Sequence, residues 1–341
     1  MRRRKFLLGA AALAAAPAPR AALRYPAVEA GHRLEFPRDH GAHPDFRQEW
    51  WYVTGWLSGP RGEPLGFQVT FFRARPDIET ANPSALTPRQ VILAHAAISD
   101  PRLGRLRHDE RAARASLGLA GAEQGTTRAW VDDWRLELEG GIYRARIAAR
   151  GFALDLEFEA KQPPLLQGEQ GFSRKGSDPQ EASYYYSRPH LAVRGKIESG
   201  GTRETVTGSA WLDHEWSSRY LSADATGWDW VGLNLSEGEA MMAFRMRDKR
   251  GGTLYAPPGV VFEPLRTWRS PRTGVEYPVS MRVTSSGKSY VLEPLMDDQE
   301  LDARASTGTI YWEGAVRALR DGREAGRGYL ELTGYWKPMK L

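Results

Sequence analysis

Residues 134–159 run Trp134-Arg-Leu-Glu-Leu-Glu139, Gly140-Gly141, Ile142-Tyr-Arg-Ala-Arg-Ile147, Ala-Ala-Arg-Gly151, Phe152-Ala-Leu-Asp-Leu-Glu-Phe158-Glu159. On an extended chain, successive side chains point to opposite faces. Phe152, Leu154, Leu156 and Phe158 therefore share an apolar face, against Ala153, Asp155, Glu157 and Glu159 on the other. The Gly140-Gly141 pair tolerates the positive φ that a two-residue hairpin turn demands, so the segment predicts antiparallel strands joined by tight turns. The same grammar recurs at Val231–Leu235, Ser236-Glu-Gly-Glu239 and Ala240–Arg247, followed by a Lys249-Arg250-Gly251-Gly252 turn. Gly66 with Phe67–Phe72, and Tyr329–Tyr335, add further strand candidates. Strand following strand at short spacing predicts an all-β sandwich or barrel.

Between two such runs lies a stretch rich in turn formers: Pro163-Pro164, then residues 168–187 with Gly171, Gly176 and Pro179. Its weak apolar periodicity predicts a loop, with a domain boundary at residues 188–196. The expected organisation is a β domain over residues 30–190 and a second over 191–341; one large sheet with insertions is the alternative. Trp50-Trp51-Tyr-Val-Thr-Gly-Trp56 in the first half and Trp228-Asp-Trp230-Val-Gly-Leu-Asn234 in the second echo each other.

Residues 1–22 read as an export signal rather than as structure. Arg2, Arg3, Arg4 and Lys5 precede the uncharged run Phe6–Ala16, and Ala16-Pro17-Ala18 supplies small residues for cleavage near Ala18–Ala22. Arg3-Arg4-Lys5-Phe6-Leu7 has twin-arginine spacing, which makes a periplasmic or secreted location the expectation. The apolar run is too short to span a bilayer, so no integral membrane segment is expected once the signal is removed. That segment holds four Arg, one Lys and no acid, so its removal takes the formal charge from +5 to 0. No basic block then remains to track a phosphate backbone, and nucleic acid is not an expected partner. Cys is absent, which excludes disulfides, a thiol nucleophile and Cys-ligated zinc.

Two segments carry the chemistry. In Glu49-Trp50-Trp51-Tyr52-Val53-Thr54-Gly55-Trp56, an extended chain puts Trp50, Tyr52, Thr54 and Trp56 on one face and Glu49, Trp51, Val53 and Leu57 on the other. Core packing accounts for any single Trp here. Twelve in one chain make an aromatic-lined pocket the expectation for the set, with Trp228, Trp230 and the Tyr185 hydroxyl as further lining. In Thr207-Gly-Ser-Ala-Trp211-Leu-Asp213-His214-Glu215-Trp216, Leu212, His214 and Trp216 share a face and Trp211, Asp213 and Glu215 the opposite one. A His against an apolar wall is suited to proton transfer near neutrality, or equally to a satisfied place in the core. Asp-His-Glu lacks a second His at ligand spacing and would need His190, His95, His40 or His43 across the fold, so no metal is expected. His95 lies in the apolar run Ile92–Ile98, either paired in the core or lining a pocket. His40 and His43, beside Gly41 and Pro44, suggest only a turn. No P-loop, dinucleotide-binding Gly-rich turn, nucleophile elbow or HExxH occurs, and no cofactor is expected.

These segments resemble the AttH and carotenoid hydratase family, some of whose members are labelled secreted hydrolases. The resemblance rests on Phe46–Leu57, Gly66–Arg73, Ala94-His95-Ala96, Gly171-Phe172-Ser173, Tyr184–His190 and Gly208–Ser217 with its Trp211-x-Asp213-His214-x-Trp216 core, and spans about residues 32–341. It implies two lipocalin-like antiparallel β-barrel domains and a small apolar, isoprenoid or lipid ligand. In one branch it implies metal-independent addition of water to an isolated double bond, with His214 transferring a proton and Trp216 and Trp51 walling the cavity. In the wider branch it implies a non-catalytic lipid carrier, with an ABC transporter of the lipoprotein-export type as partner. Where the hydratases carry Tyr-x-Asp, this chain has Phe244-Arg245-Met246, and Asp213, Asp229 or Asp248 would have to replace that acid.

Overall fold

The computed structural model describes residues 25–77, 84 and 87–339, so the expected signal lies outside the described residues. The Gly-Gly turn closes as its sequence dictates. Trp134–Glu139 and Ile142–Ala149 pair antiparallel with Glu139 opposite Ile142, and Phe152–Glu159 adds to the far side. Gly140 and Gly141 have φ of 58° and 81°, the left-handed region such turns use. Leu136, Tyr143, Ala145, Leu154, Leu156 and Phe158 all enter one core.

These strands belong to a 13-stranded antiparallel sheet. Its main path runs Arg107–Arg114, Val91–Ser99, Pro64–Ala74, Gln48–Ser58, Thr202–Arg219, Ala182–Ser199 and then Phe152–Glu159 back through the hairpin to Ala120–Ala122. The two ends pack together, which nearly closes a barrel. A second, 9-stranded sheet covers Gly227–Leu332 and curls into a half-barrel. The chain is thus all-β, with two lipocalin-like antiparallel domains. Among the described residues, no helix is long and apolar enough to cross a membrane.

Two expectations about the middle of the chain need correction. Ala182–Ser199 forms a strand of 18 residues where residues 168–187 read as loop, and Phe172–Arg174 pairs with it. Residues 182–187 are buried on both faces, so the polar alternation that marks a half-exposed strand is missing. The expected boundary at residues 190/191 falls inside this strand. Pro189-His190 is a bulge there: the register shifts between Arg188 and Leu191, and His190 takes φ of 52°. The chain changes sheet later, between Arg219 and Gly227.

Three apolar layers result. Val53, Phe67, Leu156 and Phe158 fill the first barrel, and Val231, Met281, Leu292 and Leu330 fill the second. Between them, Tyr52, Trp56, Trp211, Trp230, Ala315 and Tyr329 form a junction layer. The echoing aromatic segments meet there: the Tyr52 and Trp230 rings stand 5.3 Å apart at 85°, and Trp56 Nε1 donates to the Gly328 carbonyl at 2.9 Å.

Candidate functional site

The Thr202–Arg219 strand is flanked by Gln48–Ser58 and Ala182–Ser199, with His214 opposite Trp51 and Tyr186 and Asp213 opposite Tyr52 and Ser187. Both neighbours are themselves covered, so each face of Trp211–Trp216 lies in its own buried environment. The two environments differ sharply in chemistry.

On the inner face of the first barrel, Glu49 collects a buried polar network. Its carboxylate accepts from Arg73 Nε (2.7 Å), His43 Nδ1 (2.7 Å), the His43 backbone N–H (2.9 Å) and His214 Nε2 (2.8 Å). His214 stacks on Trp51 with ring centres 4.6 Å apart, and His43 stacks on Trp216 at 3.8 Å. The proton positions follow from the donor inventory. Arg188 can only donate, so His40 Nε2 accepts from it at 3.2 Å and His40 carries its proton on Nδ1. That N–H donates to the Tyr186 oxygen (3.0 Å), and the Tyr186 hydroxyl in turn donates to His214 Nδ1 (3.2 Å). His214 therefore carries its proton on Nε2 and donates it to Glu49.

The ionisation follows the same logic. Burial, reinforced by the Arg188 charge, pushes His40 down to about 4, and burial also lowers His214 against the pull of Glu49. Burial works to lower His43 too. The Glu49 and Asp39 carboxylates, one at each ring nitrogen, overcome it and raise this group. Burial likewise works to raise Glu49, but the Arg73 and His43 charges hold it well below the ordinary carboxylate range. His43, Glu49 and His214 offer donor atoms within 4.8 Å of one another, so His43 does supply the second His that the local spacing lacks. A metal ion here would have to displace hydrogen bonds already made and sit beside the Arg73 guanidinium.

The outer face opens on a cavity of about 280 Å³ between the two domains. Trp50, Tyr52, Tyr185, Tyr220, Trp228 and Trp230 supply aromatic walls, and Asp213, Glu215, Glu313 and Glu331 all face it. Asp213 accepts from Tyr185 Oη (2.6 Å) through one oxygen, and from Ser187 Oγ (2.5 Å) and Trp211 Nε1 (2.6 Å) through the other. Glu215 pairs with Lys175 at 2.6 Å and accepts from the Ser183 hydroxyl. Glu331 accepts from Trp228 Nε1 at 3.0 Å. Glu313 stands directly opposite Glu331 on the neighbouring strand, and its Oε1 is buried without a hydrogen-bond partner. His95 bonds Tyr311 Oη (2.7 Å) and Ser306 Oγ (2.8 Å), and burial drives it down to about 3, so it is neutral.

Burial pushes Asp213 up to about 7 in spite of its three donors, and Glu331 to about 7 as well. Burial, with the charge of Glu331 added, raises Glu313 well above its ordinary value. Burial also raises Glu215, with Lys175 partly offsetting it. An apolar cavity thus holds carboxylic acids with protons to give near neutral pH, the condition for general acid catalysis.

Glu49, Trp50, Tyr52, His95, Tyr185, Asp213, Trp228 and Trp230 meet at this cavity. The expectation that His214, Trp51 and Trp216 frame it is corrected: strand alternation sends all three into the first barrel, where the Glu49 network absorbs them. Of the acids proposed to replace the missing Tyr-x-Asp, Asp229 is held by Arg245 (2.7 Å), Arg247 (2.9 Å) and Tyr335, and Asp248 caps its own turn. Only Asp213 reaches the cavity. Phe244 and Met246 fill the junction layer, with Lys175 lying 4.2 Å over the Phe244 ring. Sequence reasoning missed Glu313, Glu331, Tyr220, Arg73 and Lys175. The signal for two of them was a lone Glu at an alternate position in an apolar strand, Tyr311-Trp-Glu313-Gly-Ala315 and Tyr329-Leu-Glu331-Leu332.

A family model described as AttH-like matches residues 27–335. A crystal structure of a candidate AttH protein from Nitrosomonas europaea is 50% identical, with a TM-score of 0.84 over 91% of this chain and 99% of its own. Kievitone hydratase from Nectria haematococca shares the fold at 14% identity, with a TM-score of 0.62 over 92% of this chain and 97% of its own. No curated protein sequence matches the chain.

Proposed function

The chain belongs to the AttH-like family, and from that premise we propose that it holds a small apolar, isoprenoid-type ligand between its two domains and adds water to an isolated double bond. The observation that supports this most directly is Glu313: a buried carboxyl group with an unpartnered oxygen, opposite a second carboxyl, in an aromatic-walled cavity. Two carboxyls side by side, Glu313 buried and Glu331 half-buried, do not both ionise readily, so the pair retains a proton at neutral pH. Delivered to the less substituted alkene carbon, that proton leaves a tertiary cation, which the ring faces of Trp50, Trp228 and Trp230 stabilise. Water then bonds to the cationic carbon and gives its surplus proton to Asp213. The acid set ends with as many protons as it began with, and the product has gained one water. His214 acts at a distance, as part of the network that orients the Gln48–Ser58 and Thr202–Arg219 strands. The basic and apolar run over residues 2–18 supports a periplasmic or secreted location.

A second reading, a carrier that hands a lipid to an ABC transporter of the lipoprotein-export type, is favoured by the three donors already occupying both Asp213 oxygens. Incubation with an acyclic isoprenoid alkene in ¹⁸O-water separates the two. A hydratase yields product heavier by one labelled water, and Glu313→Gln/Glu331→Gln abolishes it while ligand is still retained. Recovery of bound but unlabelled alkene from the wild type would sink the hydratase reading.

A further inference from the structure

The cavity between the domains combines features that an apolar ligand alone does not call for. Its carboxyl groups exceed its cations: Lys175 answers Glu215, and Arg73 with His43 answers Glu49. Among the described residues no ion pair is formed by Asp213, Glu313 or Glu331. Glu313 is 2% exposed, and its Oε1 makes no hydrogen bond, with the Tyr52 and Tyr311 hydroxyls as its polar neighbours. The Tyr52 hydroxyl, also buried and lining the cavity, is likewise unpartnered. An unmet buried carboxyl oxygen carries a desolvation cost that a cation beside it would offset.

The aromatic walls have the matching shape. The Trp50 and Tyr220 rings meet at 81° with centres 4.9 Å apart, and Tyr220 meets Trp228 at 77° and 5.7 Å. Rings standing near right angles to one another form the sides of a box, and the negative face of an aromatic ring attracts a desolvated organic cation. A bare metal ion does not suit such walls, since hard cations take several oxygen ligands at fixed distances. A bulky cation with an apolar surface does.

We infer that this cavity binds a trialkylated cationic centre, such as a quaternary ammonium group on a short apolar chain, more tightly than the neutral molecule of the same shape. The inference deepens the proposed function and rests on the same site, because a tertiary carbocation and a quaternary ammonium group both present a positive charge surrounded by alkyl groups. Positive charge in the cavity then replaces the proton of the Glu313–Glu331 pair. The carboxylates attract it and the rings of Trp50, Tyr220 and Trp228 enclose it.

Choline and 3,3-dimethyl-1-butanol differ only in the charged nitrogen and supply the test, with binding to the full-length protein followed by calorimetry and by tryptophan fluorescence. At pH 8 we expect choline to bind at least tenfold more tightly than the alcohol. Glu313→Gln/Glu331→Gln should remove that preference while leaving the alcohol's affinity within about twofold, and thermal unfolding that matches the wild type at pH 4, where both carboxyls are protonated in either state, would show that the variant is folded. Equal binding of the two probes, stronger binding of the alcohol, or binding of neither overturns the inference. Choline preference without incorporation of labelled water from the alkene assay leaves the inference standing and removes the hydratase reading. Labelled product with no choline preference does the reverse.

Discussion

Replacing Glu331 by Gln should make the protein less sensitive to alkaline pH, and by an amount that its position dictates. Gln keeps the shape and can still accept from Trp228 Nε1, so the substitution removes the Glu331 titration and, with it, the charge that helps to raise Glu313. In the folded protein, burial raises Glu331 from 4.5 to about 7, with Asp213 and Glu215 adding to the effect. Between those values the folded state holds a proton that the unfolded state has released, so stability falls as pH rises. At about 1.4 kcal/mol per pH unit, the loss amounts to roughly 3 kcal/mol once pH exceeds the folded value. Below 4.5 both states are protonated and the term vanishes.

For a chain of this size roughly 3 kcal/mol corresponds to a shift of about 6 °C in Tm. Thermal unfolding of wild type and Glu331→Gln should therefore coincide near pH 4.5 and diverge by several degrees at pH 8, with the variant the more stable. Asp213, which burial raises to about 7, and Glu313, which burial also raises, keep a residual slope in both proteins. Parallel profiles from pH 4.5 to 8 would refute the claim that Glu331 sits protonated in an apolar cavity.

The inner network responds in the opposite sense. Glu49→Gln leaves the Arg73 charge buried without its carboxylate and His43 with Asp39 alone, so a loss of about 3–5 kcal/mol is expected, and a Tm change under 2 °C in thermal unfolding would contradict the network. Lys175→Met should destabilise more at pH 8 than at pH 5.5, since Glu215 must then take up a proton; guanidinium unfolding at the two pH values measures this. ¹⁵N chemical shifts at pH 6 should show His43 protonated on both nitrogens, with His40 neutral as the Nδ1–H tautomer and His214 neutral as the Nε2–H tautomer. Expressed in a bacterium with an intact export pathway, the mature chain should begin after a cleavage at Ala18–Ala22, which intact-mass measurement reads directly.

The class of the fold was legible because hairpins such as Trp134–Ile147 are half exposed and write their alternation in charge. Ala182–Ser187 was not legible, because a segment covered on both faces shows no alternation, and a bulge at Pro189-His190 looks like the end of a strand. The cavity was half legible. Trp50, Tyr52, Trp228 and Trp230 announce themselves by aromatic density, and strand parity separates Asp213 from His214. The acid pair was hidden because Glu313 and Glu331 become neighbours only when Thr309–Arg320 and Arg323–Leu332 pair, and that register fixes which charges meet. His40 and His43 read as a turn for a similar reason. The partners of His40, Tyr186 and Arg188, lie on a strand distant in sequence, and His43 meets Glu49, six residues on, only because the chain turns back before the Gln48–Ser58 strand.

The division of labour along Trp211–Trp216 depends on parity, and parity depends on register. A slip of one residue against Gln48–Ser58 would carry His214 to the cavity and drive Asp213 and Glu215 into the first barrel, where their donors are absent. Two features oppose that slip. The stacks of His214 on Trp51 and His43 on Trp216 hold the inner face, and the three donors on Asp213 hold the outer one. The compact Asp-His-Glu-Trp motif therefore serves two sites at once: His214 and Trp216 lock the strand from inside the barrel so that Asp213 and Glu215 present their acids to the cavity.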